Sequence, residues 1–129
     1  PSGKRHCNAQ SGRKDQCRRD AGSGQSTFAF AKEMGLSPRQ AYDLGAHFGS
    51  GMRHGSTCGA ITGALMVLGM LGYDEQTATA LLRATRQSHG ALDCATLLRT
   101  SHEAGIPRKQ HCDGIVCEML QAVEDIINA

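Results

Sequence analysis

At 129 residues, 40% apolar and 20% charged, the chain has material for one domain with a modest core, which excludes a large multidomain enzyme and a wholly disordered chain. Three Phe, two Tyr and no Trp leave few stacking platforms for single-stranded nucleic acid, so a nucleic-acid partner is disfavoured. Net charge is +2, but six of the fourteen Lys and Arg (Lys4, Arg5, Arg13, Lys14, Arg18, Arg19) lie in the first nineteen residues and leave a slightly acidic body. We therefore expect a basic arm over residues 1–20 and one domain over 21–129.

Taken in chain order, the pattern is helical almost throughout. Phe28, Ala31 and Met34 recur at three-residue steps over 25–34, with Gly35 as the stop. Ser37-Pro38 writes an N-cap followed by proline at the first helical position, leading through Ala41, Leu44 and Phe48. The run Gly49-Ser50-Gly51-Met52-Arg53-His54-Gly55 predicts a flexible loop. Ser56 or Thr57 then caps a central helix to about Leu71, apolar on most faces. Asp74 opens a fourth helix that Ser88-His89-Gly90 closes, a short helix covers about Cys94 to Glu103, and the last runs from about Gln110 to Ile127. No alternating strand pattern appears, and the expected fold is an all-α compact bundle of about five helices.

Six cysteines require a chemical explanation: disulfides, metal ligands or redox thiols. The basic start is followed by Asn8, Ala9, Gln10 and Ser11 rather than an apolar run, and the apolar stretch Ala60 to Leu71 is too short to cross a bilayer. We expect a soluble, cytoplasmic protein with no membrane partner, where a disulfide framework is the less common use of cysteine. Cys58 is the first candidate, because a place in the first turn of the central helix would lower its pKa through the helix dipole and free N–H groups. Gly55, Gly59 and Gly63 recur every four residues and make a smooth strip against which a backbone or a compact cofactor can press. An exposed remainder of that strip would suit a homodimer.

The segment Cys58-Gly59-Ala60-Ile61-Thr62-Gly63, after a Gly-rich loop and before Ala64-Leu65-Met66-Val67-Leu68-Gly69, resembles the motif that names the C_GCAxxG_C_C family of redox-active proteins. The likeness covers most of the chain after about residue 17. It implies that Cys58, Cys94 and Cys112 match the family's second, third and fourth cysteines, and that the first falls in Gly22-Ser23-Gly24-Gln25, where this chain has Ser23. Family likeness to the iron–sulfur portion of split-Soret cytochromes implies an iron–sulfur cluster, which gathered thiolates suit. Its fourth ligand would be Ser23 or another residue, with Cys17 ahead of Cys7 and Cys117. Cys117 stands five residues from Cys112 and is displaced by about 140° around the helix, so both cannot easily face one cluster.

Zinc is the alternative metal, although short-spaced Cys-x-x-Cys pairs are absent, and no Cys-x-x-Cys-His segment supports covalent haem. The rival function is a thiol–disulfide enzyme with Cys58 attacking and Cys94 or Cys112 resolving. His47 and His54 flank the glycine loop, near enough to assist a centre, whereas His6, His89, His102 and His111 receive no role. The basic arm lacks aromatic interleaving, and neither a Gly-x-Ser-x-Gly elbow nor a phosphate loop occurs. A redox partner is implied, its identity unwritten.

Overall fold

The computed structural model describes residues 27–129, so the basic arm, its boundary with the body, Cys7, Cys17 and Ser23 lie outside the described residues. The fold is all-α, with no strand among the described residues. No described helix is long and apolar enough to cross a membrane.

The first elements are short. Residues 27–29 form a helical turn, Phe30 breaks it at φ −113°, and α1 (Ala31–Met34) ends on Gly35 in the left-handed conformation. Ser37 starts α2 (Pro38–Gly45) with a complete capping box: its hydroxyl accepts from the Gln40 N–H at 3.1 Å, and the Gln40 side chain accepts from the Ser37 N–H. Thr27 fastens the two helices by donating to the Ala41 carbonyl at 2.6 Å inside the core.

The central helix α3 (Gly59–Met70) packs chiefly on α6 (Arg108–Ile127). Ile61, Val67 and Leu68 of α3 meet Val116, Leu120 and Val123 of α6, all buried with Phe30 in one cluster. Each such side chain contributes about 1.5–3 kcal/mol relative to an exposed one, so this contact sets the position of everything attached to it. Two helices flank the pair. α4 (Glu75–His89) is capped by Asp74 and closed by left-handed Gly90. α5 (Cys94–Glu103) is capped by Asp93, whose carboxylate accepts from the Thr96 N–H at 2.8 Å.

Two local expectations are corrected. The segment before α3 is a tight left-handed turn and not a loose loop: Ser50, Gly51, Met52 and Arg53 hold φ of 52°, 62°, 59° and 65°. Three of these residues are not glycine, and each costs about 1–2 kcal/mol in that conformation. Hydrogen bonds offset the strain, from the Met52 N–H to the Phe48 carbonyl (3.1 Å) and from the Ser56 N–H to the Gly51 carbonyl (2.8 Å). In addition, Ser56 and Thr57 do not cap α3. Their backbones instead cross to the start of α5, with the Cys94 N–H on the Ser56 carbonyl at 2.7 Å and a single bridge between Thr57 and Asp93.

Candidate functional site

These cross-links bring three thiols from three helices to one place. Cys58 is the N-cap residue of α3, Cys94 the first residue of α5, and Cys112 lies in the second turn of α6. The Cys58 N–H donates to the Leu92 carbonyl at 2.9 Å, two residues before Cys94, which ties the first two thiols through the backbone. Cys112 arrives with α6, held by the α3–α6 core. All three are free, half-buried and line one cavity of about 450 Å³.

Glycine makes the approach feasible. A Cβ on Gly51 would stand 2.2 Å from the Ser56 carbonyl oxygen and 2.7 Å from Cβ of Cys94, so the turn can close against α5 only without a side chain there. A Cβ on Gly59 would meet the Phe48 carbonyl oxygen at 2.6 Å. The closeness predicted at Gly59 is therefore real, and the partner is the backbone of the 48–49 segment; Gly59 also lines the cavity, and Gly63 is buried one turn further on.

The electrostatics reverse one expectation. Burial pushes the Cys58 thiol above its ordinary value; the Ala60 and Ile61 N–H groups pull it down, and Cys94 and Cys112 add to the rise. The helix N-terminus acts in the anticipated direction but loses to desolvation. Cys94 is raised by burial and then by Cys112, against the pull of Arg108. Cys112 is raised by burial, with the Arg108 charge and a hydrogen bond from it opposing. As free groups, these are protonated thiols at neutral pH.

Arg108 is a participant that sequence reasoning missed. It stands in the first turn of α6, lines the cavity beside Lys109, and donates from Nη2 to Ser50 Oγ at 3.2 Å across the mouth. His111, assigned no role from the sequence, lines this cavity and a second one of about 340 Å³, where His89 and Glu118 pair at 2.5 Å. Its place beside Cys112 was the available signal. His47 and His54 are exposed and line neither cavity; His47 instead accepts from Arg53 Nη2 through Nδ1, at 3.1 Å, and so helps brace the left-handed turn. Cys117 is buried and disulfide-bonded, and it is absent from the lining, in keeping with its angular displacement from Cys112.

Comparison with known proteins bears on the same residues. A family described as "Putative redox-active protein (C_GCAxxG_C_C)" matches residues 23–126, more than half of the chain, a span that includes the three free cysteines of the described residues. The chain belongs to the C_GCAxxG_C_C family. No curated protein and no solved structure matches it. Membership supports a general redox role, and the match begins at Ser23, which lies outside the described residues.

The donor set can be tested against metal chemistry. Among the described residues, no three of His, Cys, Asp and Glu converge closely enough to hold a single ion. A structural zinc gathers four donors about 2.0–2.3 Å from one centre. An iron–sulfur cluster distributes its thiolates over several irons, so it does not require the cysteines to converge on a single ion.

Proposed function

We propose that the chain is a small redox protein whose Cys58, Cys94 and Cys112 hold an iron–sulfur cluster, for electron transfer or redox sensing. The observation that carries this reading is the meeting of three free thiols from three helices on one cavity of about 450 Å³. Bound there, the cluster would supply one-electron chemistry. The chain's own part is to hold soft donors on α3, α5 and α6, with Leu97, Ile115 and Val116 restricting water and Arg108 setting a positive charge beside them.

The raised thiol pKa values favour this reading over the thiol–disulfide alternative. An attacking thiol works as its thiolate and profits from a pKa near ambient pH, whereas burial raises all three groups and neighbouring thiols raise Cys58 and Cys94 further. A metal centre displaces those protons, so loading should release protons and improve as pH rises. The fourth ligand is proposed to come from Ser23 or Cys17, both outside the described residues; Cys17 can serve only if the disulfide of Cys117 is made with another cysteine.

Iron, sulfide and zinc content with the visible spectrum of anaerobically purified protein tests the reading. Cys58→Ser, Cys94→Ser and Cys112→Ser should each remove or strongly impair the centre, and Cys7→Ser should change it little. Normal iron and sulfide in Cys58→Ser would overturn the assignment, and zinc without sulfide would favour the structural-zinc alternative. Ser23→Cys should increase loading if Ser23 occupies the fourth position; if Cys17 does, Ser23→Ala should be silent and Cys17→Ser damaging.

A further inference from the structure

Apart from the thiols, the cavity has two kinds of wall. Leu97 and Leu98 of α5 and Ile115 and Val116 of α6 make an apolar cleft, and the charged side chains in its lining are Arg108 and Lys109, with no carboxylate among them. This runs against the charge of the body, because residues 27–129 carry ten Asp and Glu against eight Lys and Arg. Two cations concentrated at the mouth of an apolar cleft in an acidic body make a local field that selects negative ligands.

The two cations are not equivalent. Lys109 pairs with Asp113 one turn on, at 3.2 Å. Arg108 has no carboxylate partner among the described residues; Ser50 Oγ and the Cys112 thiol accept from it, and its planar fork carries further N–H donors that can take an anion. A volume of about 450 Å³ lies within the range of small-molecule sites, which combine apolar walls with a few fixed polar groups.

We infer that this cavity binds a small organic anion with an apolar body, its acid group on the Arg108 guanidinium and its body between Leu97 and Leu98 on one side and Ile115 and Val116 on the other. The ligand would lie against the thiol-bearing helices, in reach of whatever centre they hold, and its binding does not require that centre to be an iron–sulfur cluster. The chemistry identifies monocarboxylic acids with an aryl or short alkyl tail as the class to try first.

An isosteric pair separates charge recognition from hydrophobic uptake: 4-phenylbutyrate and 4-phenylbutanamide, titrated by calorimetry or ligand-observed NMR into the full-length protein as purified. The acid should bind at least about tenfold more tightly than the amide, the size of one good charge-assisted interaction. Arg108→Gln should remove that preference while leaving the amide's affinity unchanged, and Arg108→Lys should restore part of it. Arg83→Gln, an exposed residue of α4 outside the cavity, should change neither. Equal affinities in the native chain, a preference that survives Arg108→Gln, or no binding of either compound at millimolar concentration would each overturn the inference. Iron and sulfide measured on the same samples keep the two claims apart: an acid preference without iron defeats the cluster alone, and a fully loaded protein that binds acid and amide alike defeats the anion site alone.

Discussion

Helix α4 and the thiol-bearing end of the molecule are built by opposite means. α4 opens on Asp74, whose carboxylate accepts from the Thr77 N–H at 2.9 Å, and closes on Gly90 at φ 80°, so its ends follow local rules. The thiol end breaks them. Cys58 stands in a capping position without a side-chain cap bond, four successive residues turn left-handed, and the start of α5 is fastened by backbone bonds from the 56–58 segment. Strain that persists must be over-determined by its surroundings, and such strain collects at functional sites. The comparison teaches that this chain caps α4 and α5 in the ordinary way, through Asp74 and Asp93, and departs from local rules on the approach to α3, where Cys58 takes the capping position.

The largest expected difference between the two regions is at glycine. Gly51 and Gly90 both have positive φ, 62° and 80°, but a Cβ on Gly90 would meet nothing within 4 Å, whereas one on Gly51 would strike Ser56 and Cys94. Gly90→Ala should cost about 1–2 kcal/mol, the left-handed penalty alone. Gly51→Ala adds overpacking against backbone and should cost about 2–5 kcal/mol in total, with loss of any bound centre. Chemical denaturation measures both. Equal costs would mean that the turn yields freely against Ser56 and Cys94.

A smaller contrast sits within α3. Gly59→Ala places a methyl 2.6 Å from the Phe48 carbonyl oxygen and should destabilise by about 1–3 kcal/mol despite the better helix propensity of alanine. Gly69→Ala, at the exposed end of the same helix with nothing within 4 Å, should stabilise by about 0.5–1 kcal/mol. The two signs should differ in thermal unfolding. If Gly59→Ala also stabilises, the close approach of the 48–49 segment to α3 is not maintained in solution.

How much of this was legible in the sequence follows from the range of the forces involved. The caps of α2 and α4, the stops at Gly35 and Gly90 and the apolar stripes of α3 and α6 are written within a few residues, and each lies where the pattern put it. The last helix starts at Arg108, two residues before the expected Gln110, because Pro107 can stand at its threshold. Three features depend on contacts across the chain and left no local trace. They are the crossing of Ser56 and Thr57 to the start of α5, the reach of Arg108 over 58 residues to Ser50, and the burial that turns the Cys58 pKa upward. A place at a helix start pointed to Cys58, and family likeness named it with Cys94 and Cys112; only the fold shows that one cavity joins them.

The finest test of the contrast is acid titration of the α4 cap. Asp74 accepts from both the N–H and the hydroxyl of Thr77, and these bonds, the backbone one first, hold its pKa below the ordinary 3.8. A depressed folded pKa means that the unfolded chain takes up the proton first. The stabilisation is therefore fully present above pH 3.8 and is lost as pH falls from there through the folded value. Asp93 carries the same lowering through its bonds from Thr96, so the native acid profile holds at least both contributions. Asp74→Asn should keep the cap at neutral pH, because asparagine caps as well as aspartate, yet it should flatten that part of the acid limb. Asp74→Ala should lower Tm by a few degrees at neutral pH and flatten the limb as well. Thermal unfolding of both variants between pH 3 and 7 reads the two effects separately, and an Asn variant with the native acid profile would show that the Thr77 bonds do not favour the ionised carboxylate. The same series should leave iron content unchanged, since α4 supplies stability and no ligand.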